Sequence, residues 1–266
     1  MRTPRHFLIF LLGALTAMLS GEALAQHASA DEANKSNNPL NPAPGLNFQD
    51  YYTPDIYGSN QYTNDFLVRG TLPLPPVGPV PVPQLIRVTA PISTRPDPGG
   101  GYSTGLGDIN VFDIFLLQTE GTQLGVGPLL TMPTASEDEL GTGKWQAGVA
   151  AVAVHPTPEY LIGGLVQWQA SFAGDDDRGD VNTLTAQPFV IYNLPQGWYL
   201  RSTAVWTFNL RNADYYIPVG LGAGKAWKSG TTIMNAFIEP QWTIAHDGDG
   251  WPKFTIFAGL NLTFGK

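Results

Sequence analysis

The chain has 266 residues, a formal net charge of −8 at pH 7 and no cysteine. The acidic balance argues against nucleic acid as a partner, because phosphate binding needs a basic face. The absence of thiols excludes a disulfide framework, thiol catalysis and thiolate metal sites.

Residues 1–25 read as a cleaved signal peptide. Arg2 and Arg5 form the positive region, Phe7 to Leu19 the apolar core, and Ala23-Leu24-Ala25 the small-residue cleavage site. The apolar core is short for a spanning helix of about 20 residues. Its removal takes away two basic residues and one acidic residue, which moves the net charge from −8 to −9. Residues 26–45 are polar and rich in Pro and Asn, and read as a mobile periplasmic linker.

Strand-like runs follow at 46–57, 65–74, 84–93, 107–119, 123–134 and 144–155, then at 160–173, 181–193, 198–211, 215–227, 231–245 and 253–264. Their connections alternate. Tight turns such as Pro156–Glu159, Pro195–Gly197 and Lys228–Gly230 take turns with longer acidic, Gly-rich loops such as Ser136–Gly143 and Gly174–Asp180. Single-chain bacterial barrels have even strand numbers, short periplasmic turns and longer outer loops. That bookkeeping requires a first strand at 46–57. Pro54 interrupts this segment, so a plug or a periplasmic segment is its other reading.

The last run shows the alternation best. Phe254, Ile256, Ala258, Leu260, Leu262 and Phe264 share one face of a strand; Thr255, Gly259, Asn261 and Thr263 share the other, with Phe257 as an apolar intruder. Trp and Tyr residues sit mostly near strand ends, as an interfacial girdle places them. Charged residues are only 14% of the chain, against roughly 25% in soluble domains. The expectation is all-β: a transmembrane antiparallel up-and-down β-barrel of about twelve strands over 46–266. It is placed in the outer membrane of a Gram-negative bacterium, in contact with lipid and lipopolysaccharide. A soluble β-sandwich or β-helix competes, but a greasy face on nearly every strand exceeds what one soluble core buries.

Several motifs go beyond this pattern: Gly105-Leu-Gly-Asp-Ile109; Gly125-Val-Gly-Pro-Leu-Leu-Thr-Met-Pro-Thr-Ala135 with Leu140-Gly-Thr-Gly-Lys-Trp145; Trp168-Gln-Ala-Ser-Phe-Ala-Gly174; Gln187-Pro-Phe-Val-Ile-Tyr-Asn-Leu-Pro-Gln-Gly-Trp-Tyr-Leu200; and Pro218-Val-Gly-Leu-Gly-Ala-Gly-Lys225. In this order, over roughly 45–266, the chain resembles the outer-membrane barrel family described as the MetA pathway of phenol degradation, whose members are often labelled transporters. It departs from the pattern at its terminus, where Phe264-Gly265-Lys266 stands in place of Phe-Pro-Lys. The resemblance implies a barrel that passes small molecules, with aromatic or hydrophobic ones as candidates.

On the barrel reading the lumen receives Arg69, Arg87, Lys144, Gln146, Gln167, Gln169, Gln187, Arg201, Asn209, Glu239, Gln241 and Asn261. Such an interior guides a solute or merely satisfies buried polar groups, and both readings stand. Glu239 with one of the arginines is the pair to test first. A lipid-modifying enzyme is a third reading, with His27, His155 and His246 as the mature candidates for a base; His27-Ala-Ser29 has a suggestive spacing but lies in the linker, His155 has no serine nearby in sequence, and His246 lies at the outer rim beside Asp247 and Asp249. Asp175, Asp176, Asp177 and Asp180, and separately Asp247 and Asp249, match no full calcium-loop pattern and read as solvated loops. No cofactor is expected.

Overall fold

The structure, a computed structural model, describes residues 26–77, 81–118 and 120–265. The expected signal peptide lies outside the described residues. Twelve antiparallel strands close into a barrel. The first half comprises β1 (Gly45–Ile56), β2 (Thr63–Leu74), β3 (Gln84–Pro96), β4 (Tyr102–Leu106 continuing as Ile109–Gln118), β5 (Gln123–Met132) and β6 (Lys144–Pro156). The second comprises β7 (Tyr160–Gly174), β8 (Asn182–Asn193), β9 (Trp198–Ser202 and Trp206–Asn209), β10 (Tyr215–Gly220 and Gly222–Ser229), β11 (Thr232–Asp247) and β12 (Pro252–Phe264). Pairing of β12 with β1, from Pro252↔Ile56 to Thr263↔Gly45, closes the sheet and removes its edges. The first strand is therefore part of the wall. The β1–β12 ladder shifts register opposite the segment around Pro54, where a residue without an N–H has no bond to give.

Alternation along β6 shows how the sequence sets the two faces. Lys144, Gln146, Ala150, Val152 and Val154 are buried, while Trp145, Ala147, Val149, Ala151 and Ala153 between them are exposed. Outside, large apolar side chains stand clear of the protein, with Phe172 and Ile244 each 63% exposed. Apolar surface on this scale is what a hydrocarbon environment covers.

The inside is not polar throughout. Towards the short-turn end, Leu85, Ile114, Val154, Leu161 and Ile191 turn inward and pack as a core. Leu40, from the segment expected to be a mobile linker, joins that core. The segment is ordered for local and long-range reasons. Ser29 caps helix α1 (Ala30–Asn37) in a capping box: its hydroxyl accepts the Glu32 N–H while the Glu32 carboxylate accepts the Ser29 N–H.

The segment then bonds to opposite sides of the barrel. Asn34 Nδ2 donates to the Thr157 carbonyl at 2.7 Å, Asn235 Nδ2 to Ser36 Oγ at 2.9 Å, and Asn38 Nδ2 to Gln123 Oε1 at 2.7 Å. Lys228 pairs with Glu32 at 2.9 Å, and Gln26–His27 adds a short ladder to Trp227–Lys228. Partial burial pushes the Glu32 carboxyl up, but the Ser29 N–H and hydroxyl and the Lys228 ammonium outweigh it and hold it below 4.5. Residues 26–44 thus form a floor across the short-turn end.

Candidate lumen site

Above that floor the inner wall carries a fully buried ion pair. Arg201 Nε donates to Glu239 Oε2 at 2.7 Å, and Glu239 has no exposed surface. The carboxylate is satisfied further by the Thr203 N–H at 2.8 Å, the Thr203 hydroxyl at 2.7 Å and Gln241 Nε2 at 3.2 Å. That N–H is available because β9 breaks between Ser202 and Trp206, which releases it from the ladder. Gly220 makes the room: a Cβ there would stand 2.1 Å from Glu239 Oε1. The Arg201 guanidinium lies 3.6 Å over the Phe237 ring and 5.2 Å from Phe257, which stacks on Tyr51 at 4.0 Å. Phe257, the intruder on the polar face of the last strand, is one wall of this site.

Two chambers open off the network. The inner one, of about 460 Å³, lies between the floor and the network. Of the sequence candidates it is lined by Arg69, Arg87, Gln167, Gln169, Gln187, Arg201 and Asn261. Gln187 donates to the Thr203 carbonyl at 2.8 Å, and Gln49, from the first strand, donates to Asn261 Oδ1 at 3.3 Å. Ser36, Asn37 and Asn38 of the floor close it from one side. The outer chamber, of about 550 Å³, opens towards the long loops and is lined by Gln241 together with Asp65, Arg95 and Trp251. There Arg95 binds Asp65 through two bonds of 2.8 Å. Tyr51 and Val205 line both chambers and mark where they meet.

The remaining candidates sit elsewhere. Lys144 is buried near the loop end, with its ammonium 3.7 Å from Asp180. Gln146 is buried and donates to Thr142 at 2.9 Å, and Asn209 caps the Arg211 N–H at 3.0 Å. The lining groups contributed by β1 and the floor (Asn47, Gln49, Tyr51 and Asn37) had no place among the sequence candidates. The Ser29-x-x-Glu32 capping signature was the available signal for an ordered floor.

Among solved structures the chain is similar to a crystallised outer membrane channel of Pseudomonas putida F1. That match has 15% identity and a TM-score of 0.61, and covers 84% of this chain and 95% of the channel. It is also similar to the NanC porin, with 8% identity and a TM-score of 0.54 over 83% of this chain and 100% of the porin. The fold is that of an outer-membrane β-barrel. No family model and no curated protein matches the sequence.

On this barrel the histidines stand at the two rims. His155 Nδ1 lies 3.1 Å from the Thr122 hydroxyl at an exposed short turn. His246 stacks on Tyr57 at 3.5 Å, with Nδ1 3.3 Å from the Gly248 carbonyl. Neither of these contacts brings a serine to the imidazole. Among the described residues no three acidic, His or Cys side chains converge as metal ligands. Asp180 lies instead near Lys144 and, at 3.5 Å, Arg211.

Proposed function

We propose that the protein is an outer-membrane channel that carries small molecules through the barrel interior. The observation that carries this reading is the pair of chambers along the lumen, which meet at Tyr51 and Val205 inside a closed wall with an apolar exterior. Polar-lined interiors of this kind offer a solute hydrogen bonds in place of hydration. The likeness to a channel and a porin supports the reading at the level of fold. In this placement the short turns and the floor face the periplasm, the acidic loops face lipopolysaccharide, and the exposed aromatic and aliphatic side chains face lipid. The aromatic lining from Tyr51, Phe112, Phe189 and Phe257 favours solutes with an aromatic or apolar part.

A second reading, a closed structural barrel, is favoured by the floor itself, because Asn34, Asn38 and Asn235 tie it across the short-turn end. Swelling of liposomes containing the purified protein, in isotonic small sugars, separates the two. Swelling supports the channel; none, in a preparation whose heat-modifiable gel mobility shows a folded barrel, supports the closed barrel.

A further inference from the structure

We propose that the inner chamber recognises a small organic anion, with Arg69 and Arg87 binding the charged group and the aromatic wall holding an apolar body. This inference rests on the channel reading and names its solute class.

Arg69 pairs with Thr89 and Arg87 with Thr71, so the two arginines are diagonal neighbours on the inner face of β2 and β3. Diagonal positions in a ladder are about 7–8 Å apart, within reach of one shared ligand for long side chains. Two like charges at that spacing repel, and proteins ordinarily answer such a pair with a carboxylate. Here none is supplied: among the described residues no Asp or Glu lines the chamber. The charge of Arg201 is matched by Glu239 at 2.7 Å, whereas among the described residues the hydrogen-bond partners of Arg69 and Arg87 are neutral.

A guanidinium has five N–H donors. Arg69 gives one bond, to Gln49 Oε1 at 2.7 Å, and its buried Nε–H has no partner. Arg87 gives bonds to Thr71 Oγ1 at 3.1 Å and to the Pro39 carbonyl of the floor at 3.3 Å. The Arg69 Nε–H is shielded, but Arg69 and Arg87 both line the chamber, and a planar carboxylate there would accept from their remaining terminal N–H donors in the fork geometry that guanidinium groups favour.

The apolar part of the ligand has its own wall. Phe112 lies 5.2 Å beneath the Arg87 guanidinium, and the Tyr51–Phe257 stack stands across the same chamber. The volume, about 460 Å³, falls in the range of small-molecule sites. The sign of the chamber is also opposite to that of the whole chain, whose net charge is −8. Acidic loops at the rim repel an approaching anion only over about 8 Å at physiological salt, so the local field decides binding inside.

The test is equilibrium binding to the full purified chain in detergent, read by saturation-transfer NMR and calorimetry, with benzoate and its neutral analogue benzyl alcohol as probes. Benzoate is expected to bind at least tenfold more tightly than benzyl alcohol. Arg69→Gln is expected to remove that preference by weakening benzoate at least tenfold more than benzyl alcohol, while Arg69→Lys keeps part of it. Arg87→Gln acts in the same direction but also loosens the floor, so Arg69→Gln decides if Arg87→Gln fails to fold. Heat-modifiable gel mobility reports folding for each variant. Absence of benzoate binding, equal binding of the two probes, or a preference that survives Arg69→Gln would overturn the proposal. Liposome swelling in neutral sugars reads the channel separately. Swelling without benzoate preference sinks only the anion site, and benzoate preference without swelling leaves a binding site in a closed barrel.

Discussion

The two chambers of this barrel hold arginines in opposite circumstances. In the outer chamber Arg95 is neutralised by Asp65 through two bonds of 2.8 Å, next to loops rich in acid. In the inner chamber Arg69 and Arg87 face amide, hydroxyl and carbonyl oxygens and, among the described residues, no carboxylate. Between them, Arg201 is compensated so completely by Glu239, Thr203 and Gln241 that it reads as architecture. The lesson is that charge in a lumen is informative by its pairing. A matched arginine braces the wall, and an unmatched one is available to a solute.

The largest effect is expected where pairing is completest. Glu239→Ala removes the acceptor of Arg201 and of Thr203 and leaves a buried cation uncompensated, a change that typically costs about 3–5 kcal/mol. Urea unfolding of the vesicle-reconstituted protein should show a loss of that size; a loss under about 1 kcal/mol would make the network ornamental.

A medium effect follows from erasing the difference between the chambers. Asp65→Asn keeps the shape of the outer pair but releases the charge of Arg95. Under a salt gradient in planar bilayers, the reversal potential should move further towards anion selectivity than in the native protein. A move towards cations would contradict the assignment of that pair.

The smallest effect concerns the floor. Glu32 is held below 4.5 by Ser29 and Lys228, so its contribution to docking is fully present above its ordinary titration and fades as pH falls through the lower, folded value. Exchange of the amide hydrogens of α1 should therefore quicken only below about pH 4.5, the ordinary carboxyl value. Glu32→Gln should remove that pH dependence. An unchanged acid dependence in Glu32→Gln would place the switch elsewhere.

What the sequence showed, and what it hid, follows from periodicity. Strands that alternate strictly, such as Phe254 to Phe264 on the outer face, announce both their length and their orientation. β1 was hardest, because Pro54 breaks its ladder and mixed polarity blurs its faces; closure supplied what its pattern lacked. The floor was hidden because α1 is short and polar, and is ordered by amide bonds from Asn34, Asn38 and Asn235 to residues far along the chain. Local composition does not encode such long-range partners. Phe257 broke the polar face of its strand, and that exception marked the aromatic wall of the lumen.

Passage of small molecules through the lumen is tested by single-channel recording in planar bilayers of the native protein beside a variant lacking residues 28–40, the floor across the short-turn end. Resolved steps are expected from the native protein, and several-fold larger ones with an anion-selective reversal potential from the variant. Silence from a correctly folded variant, or steps indistinguishable from the native protein, would contradict it.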